Sequence, residues 1–78
     1  GEKRLALPET LRELAKLAKQ FTDTSGGMSV IEAKQVFGLG RNLTIEILEF
    51  FDHIGYTKRS GNLRVIADLN VVQLKQRD

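Results

Sequence analysis

The feature that most constrains this chain is a change of period at Gly55. Before it, apolar residues recur at helical spacing. After it come two short β-prone runs, Tyr56-Thr57-Lys58-Arg59 and Leu63-Arg64-Val65-Ile66-Ala67, around Ser60-Gly61-Asn62. That pattern predicts a hairpin with a glycine at its tip. So small a hairpin has no independent stability, and one of its faces has to lie on the preceding helices. The 78 residues leave room for one domain, and with no cysteine there is neither a disulfide nor a thiolate metal site to assist its apolar core. The start at Gly1 rather than Met leads us to expect a fragment, residues 1–78 being one domain of a longer protein.

Three helical patterns precede Gly55. From Pro8, placed where a missing N–H costs nothing, Leu7, Leu11, Leu14, Ala18 and Phe21 form one apolar stripe. Glu9 and Glu13 early and Lys16 and Lys19 late suit the helix dipole. Thr22 to Gly27 is loop by composition. Ser29 and Glu32 have the spacing of a capping box, and a short helix follows with Val30, Ala33 and Phe37 on one side. Gly38 supplies a left-handed end. A third helix is expected over Arg41–Ile54, stopped by Gly55. Leu43, Thr44, Ile47, Leu48, Phe50, Phe51 and Ile54 take its broad apolar face. Arg41, Asn42, Glu46, Glu49, Asp52 and His53 take the opposite arc, with Ile45 alone among them. The tail from Asp68 to Asp78 fits a short helix or a strand equally.

Helix, short helix, tight turn, longer helix and hairpin is the order of a winged helix-turn-helix, an α+β single domain of three helices plus a β-hairpin wing. The competing layout is a plain three-helix bundle with an ordered tail. Fold does not fix function, since winged helices bind DNA, RNA or other proteins.

Enzyme chemistry finds no support, and neither a cofactor nor a metal is expected. There is a single His, and the turn Gly38-Leu39-Gly40-Arg41-Asn42 lacks the Lys-Ser/Thr pair of a phosphate loop. Glu46, Glu49 and Asp52 read as a solvated helix face rather than a metal site. No apolar run approaches the ~20 residues of a membrane span and no signal peptide is present. A cytoplasmic monomer is expected.

The net charge of +2 is mild, so its placement matters more than its size. Arg41 and Asn42 open the third helix, where free backbone N–H groups already favour a phosphate. Lys58, Arg59 and Arg64 fall on the hairpin, and no acid lies between His53 and Ala67. In a winged helix the five would form one electropositive patch. Glu46, Glu49 and Asp52 would meet phosphates if the third helix lay deep in a DNA groove. A grip limited to its first turn and the wing suits a folded RNA, with Ile45 packing on a base or ribose. A DNA-binding transcription regulator and a protein-docking module are the alternatives.

The stretch Phe37-Gly38-Leu39-Gly40-Arg41-Asn42, then Ile45-Glu46-Ile47-Leu48-Glu49-Phe50-Phe51-Asp52-His53-Ile54-Gly55-Tyr56-Thr57, then Gly61 and Arg64, resembles the C-terminal winged helix of the bacterial selenocysteine-specific elongation factor. That family shows a Gly/Ser-Arg-Lys turn, a Leu-Glu-Tyr/Phe-Phe/Leu-Asp-Arg-Ile-Gly helix end, then Thr-x-Arg and a wing glycine. The resemblance covers residues 37–64. It implies a domain that binds the selenocysteine-insertion hairpin of an mRNA, with GTPase and tRNA-binding domains upstream as further partners, together with the ribosome. Family contacts carry over to Arg41, Asn42, Arg59 and Arg64. Asn42 stands where the family usually has Lys and His53 where it usually has Arg, and both departures remove positive charge.

Overall fold

The computed structural model describes residues 8–68, so Leu7 and the tail beyond Asp68 lie outside the described residues. Helix α1 spans Pro8–Ser25, α2 Val30–Phe37 and α3 Arg41–Ile54; strands β1, Thr57–Ser60, and β2, Leu63–Ile66, follow. The order is that of a winged helix, and the bare three-helix bundle is excluded because the last segment pairs as an antiparallel hairpin.

Helix α2 begins as its sequence dictates. The Glu32 N–H donates to the Ser29 hydroxyl at 3.1 Å, and the Glu32 carboxylate accepts from the Ser29 N–H at 2.9 Å. Gly38 closes it at φ 69°, its N–H donating to the Lys34 carbonyl. Helix α3 has the expected bounds, with Gly55 in the left-handed region after it.

Helix α1 is longer than its composition suggests. Thr22 to Ser25 were expected in a loop, yet they continue the helix. The threonine hydroxyls do not compete with it: Thr22 Oγ1 donates to the Lys19 carbonyl and Thr24 Oγ1 to the Gln20 carbonyl, both inside the helix. Lys19 pairs with Asp23 one turn on. The extra turn leaves no basic residue at the helix end, so the expected dipole match holds only at the N-terminus. Gly26, at φ 85°, ends α1.

All three helices contribute to one core. Leu14, Ala15 and Ala18 of α1, Ala33 and Phe37 of α2, and Ile47, Leu48 and Phe51 of α3 are buried together with Met28 and Tyr56. The alanines let the helix axes approach, and Phe51 fills the centre with its ring edge-on to Tyr56 at 5.3 Å. The broad face expected for α3 is the face that packs, with Leu43, Phe50 and Ile54 half-buried at its margins.

The hairpin joins this core through its first residues. Tyr56 donates its N–H to the Phe51 carbonyl at 2.9 Å and its hydroxyl to the Ala15 carbonyl at 2.8 Å. One residue thus ties the end of α3, through its backbone, to the middle of α1, through its side chain. Ser60 pairs with Leu63, leaving a two-residue turn in which Gly61, at φ 65°, takes the positive φ and Asn62 does not. That is the φ pattern of a type II′ turn, whose first position favours glycine. On its other side β2 meets Met28, with Arg64 and Met28 exchanging both backbone hydrogen bonds at 2.9 Å.

Two outcomes follow from this packing. Thr44 is fully buried and its Oγ1 has no partner, a desolvation cost of about 1–3 kcal/mol. Thr44→Val keeps the shape, and should raise the urea unfolding free energy by about 1 kcal/mol; a decrease would contradict this. Burial, with the Asp23 carboxylate adding to it, pushes the Tyr56 phenol above its ordinary value. A group whose folded value is raised contributes fully below the unfolded value, here near pH 10, and its contribution is lost as pH climbs through the folded one. Stability should therefore fall above about pH 10. As the sole tyrosine, Tyr56 can be followed by phenolate absorbance, and Tyr56→Phe should remove this alkaline loss.

Candidate nucleic-acid interface

Helix α3 opens without a side-chain cap. Its N-cap is Gly40, and no acid lies in its first turn. The first intrahelical bond runs from the Thr44 N–H to the Gly40 carbonyl, so the N–H groups of Arg41, Asn42 and Leu43 have no intrahelical acceptor. Arg41 and Asn42 are exposed. The helix end, one guanidinium and one amide are therefore offered together to an anion. Ile45, one turn later, is half-buried rather than fully exposed, which keeps part of an apolar side chain beside Arg41.

The wing supplies a second basic locus. Lys58 and Arg59 are exposed on β1. They point to opposite faces of the hairpin because successive strand residues alternate. Arg64 does not join them. Its side chain is only 9% exposed and forms an ion pair with Asp52, donating from Nε at 3.3 Å and from Nη2 at 3.1 Å to Asp52 Oδ2. The expectation that Arg64 belongs to an exposed cationic patch is corrected: its charge is turned inward and neutralised.

Asp52 is corrected with it. Read as part of a solvated acidic arc, it is instead 24% exposed at its side chain, and its other oxygen accepts a 2.6 Å hydrogen bond from Thr57 Oγ1. Glu46 and Glu49 remain exposed, as does His53. The acidic face of α3 is thus two carboxylates, and the third acid holds the hairpin.

The same contact fixes where the wing is rooted. Asp52 lies in the last turns of α3, eleven residues and about 16 Å of helix axis beyond Arg41. No hydrogen bond or ion pair among the described residues joins Arg41 or Asn42 to the wing. With Arg64 turned inward, the residues left exposed of the expected patch are Arg41 and Asn42 at the start of α3 and Lys58 and Arg59 on the wing.

Two features escape a reading of the sequence. One is the Met28 bridge, which makes β2 an inner strand. Its available signal is an apolar residue just before a capping box, the position of a hydrophobic staple. The other is Gly27, where a Cβ would lie 2.9 Å from Leu63 Cδ1 and 3.1 Å from its Cβ, so a larger residue there would push the Leu63 side chain aside. Among the described residues no group of His, Asp or Glu is arranged to hold a metal ion, and no helix is long and apolar enough to cross a membrane.

Residues 19–66 match the family model described as elongation factor SelB, winged helix. The selenocysteine-specific elongation factor of Haemophilus influenzae is 39% identical over 71 residues, 91% of this chain and 12% of the relative. That of Escherichia coli is 36% identical over 56 residues, 72% of this chain and 9% of the relative. The chain thus spans about a tenth of the curated relatives it matches. Among solved structures it is similar to the mRNA-binding domain of elongation factor SelB from E. coli in complex with SECIS RNA. The TM-score is 0.70 at 34% identity, over 74% of this chain and 48% of that one.

The two kinds of acid on α3 should separate in urea denaturation. Asp52→Ala leaves the Arg64 guanidinium buried and unpaired, and should cost about 3 kcal/mol. Glu49→Ala should stay within about 0.5 kcal/mol of the parent. Equal, small effects would show that the Asp52 contact holds nothing.

Proposed function

The chain belongs to the winged-helix family of elongation factor SelB, and from that premise we propose that it reads an mRNA hairpin of the selenocysteine-insertion type as one domain of a translation elongation factor. The observation that carries this reading is the split of charge along α3. Its first turn offers unpaired N–H groups, Arg41 and Asn42 without any acid, while Glu46 and Glu49 line the exposed side farther along. A helix laid along a DNA groove would bring those carboxylates against phosphates. A contact made by the helix start and the wing avoids them, and an RNA hairpin offers two places to hold, its unstacked tip and its stem.

Each residue then has a distinct task. Arg41 donates a planar pair of N–H groups to a phosphate beside the helix end. Asn42 adds an amide that can donate and accept, and so can read a base edge. Ile45 gives an apolar surface for a ribose or a base. Lys58 and Arg59 meet the backbone from the wing. The domain's contribution is binding and not catalysis; GTP hydrolysis belongs to the upstream part of such a factor. Its further partners are those upstream domains and the ribosome, and it works in the cytoplasm, as a monomer. Asn42 and His53 stand where the resemblance implies Lys and Arg, and the loss of positive charge means a lower affinity or a different hairpin.

Titration of the E. coli SECIS hairpin and of a duplex DNA of similar length, each at several salt concentrations, tests the reading. The hairpin should bind more tightly at every salt concentration. Arg41→Ala should weaken it by about ten-fold, the equivalent of one charge-assisted hydrogen bond at about 1.4 kcal/mol, and Lys58→Ala with Arg59→Ala, which removes two cations, by at least as much. Equal affinity for both nucleic acids with the same steep salt slope would reduce the interaction to charge attraction and defeat the proposal.

A further inference from the structure

The hairpin's hold on the body of the domain is largely polar. Side chains alternate along a strand, so Thr57, Arg59, Arg64 and Ile66 share one face, and Lys58, Ser60, Leu63 and Val65 the other. On the shared inner face Thr57 and Arg64 are buried, and both end on the Asp52 carboxylate. Only Ile66 adds an apolar contact with the core from that face. Apolar burial is non-directional and leaves a short hairpin free to tilt. Hydrogen bonds are directional: the Arg64 guanidinium donates through Nε and Nη2 to Asp52 Oδ2 while the Thr57 hydroxyl holds Oδ1, so both strands are tied to one carboxylate on α3.

An ion pair in such a place is a poor stabiliser, because desolvation offsets most of its attraction. Its effect here is on orientation. Both backbone groups of Arg64 are committed to Met28, so Arg59, directly opposite Arg64, faces it as a non-hydrogen-bonded pair, the closer of the two pair types. Like charges directly opposite repel. Asp52 takes up the charge of Arg64 and lets Arg59 stand exposed beside it.

We infer that Asp52 and Arg64 are positioning residues for RNA binding: they set the tilt of the wing on α3, and so where Lys58 and Arg59 meet the phosphate backbone, without touching RNA themselves. The inference rests on the RNA-hairpin reading above and names how that site is held in shape. It also gives Thr57 a part, since its hydroxyl occupies the second oxygen of Asp52 and keeps the first for the guanidinium.

The test uses the 78-residue chain as wild type, Asp52→Asn, Arg64→Met and Arg59→Ala. On the free proteins, amide residual dipolar couplings report the angle between wing and helices. The E. coli SECIS hairpin is then titrated over a salt series. Asp52→Asn and Arg64→Met should shift the wing couplings while those of the helices stay, and weaken binding about five-fold or more with the wild-type salt slope. Arg59→Ala should leave the couplings alone and lower the slope by about 0.7–0.9, the loss of one phosphate contact. An Arg64→Met slope lowered like that of Arg59→Ala would make Arg64 a direct contact and overturn the inference. So would wild-type couplings and affinity in Asp52→Asn, the variant that retains the side chain's shape should Arg64→Met not fold. Wild-type protein that prefers duplex DNA to the hairpin would instead defeat the RNA reading, and the couplings would still decide whether Asp52 and Arg64 set the wing's pose.

Discussion

A hairpin with two four-residue strands has too little apolar surface to hold itself, and in this domain its pose depends on what Arg64 does. The backbone of Arg64 pairs with Met28 on one side while its neighbours pair with β1 on the other, and its side chain reaches α3 through Asp52. Three separate segments of the chain therefore meet at one residue. Tyr56 provides the second anchor, reaching from the end of α3 to the Ala15 carbonyl on α1. With both in place the exposed cations of β1 sit on a platform rather than on a loose ribbon.

Helix α3 divides its surface among three tasks. Thr44, Ile47, Leu48 and Phe51 are buried in the core; the first turn is left uncapped and uncharged by any acid; and Asp52 seats the hairpin. Keeping Gly40 at the N-cap leaves backbone donors unsatisfied that Ser, Asp or Asn there would have occupied. That costs helix stability and leaves the same donors open to a phosphate. Helix α2 shows the opposite choice, with a complete capping box at a start from which nothing is asked but order.

Much of this was legible in the residues. The bounds of α3 follow from Gly40, Gly55 and an apolar face of 3.6 period, and those of α2 from Ser29, Glu32 and Gly38. The loop expected at Thr22 was wrong because threonine hydroxyls satisfied inside a helix look, in composition, like those of a loop. Asp52 and Arg64 were misplaced for another reason. A helical wheel assigns Asp52 to the solvated arc because it knows only α3, and a strand pattern makes Arg64 one more exposed cation because it knows only the hairpin. Their pairing spans twelve residues and exists only once the hairpin has folded back. Of the expected binding residues, Arg41, Asn42, Lys58 and Arg59 are where a ligand can reach them, Ile45 is half-covered, and Arg64 is not available.

The central claim is that RNA is held by the start of α3 and by the wing, and amide chemical shifts measured during titration with the SECIS hairpin test it most directly. The account predicts that the largest changes fall on Arg41, Asn42, Ile45, Lys58 and Arg59, with little at Leu17, Phe21 and Val36, which line a hollow between α1 and α2. Changes concentrated on Leu17, Phe21 and Val36, or along the Glu46 and Glu49 flank with the first turn and wing unaffected, would contradict it.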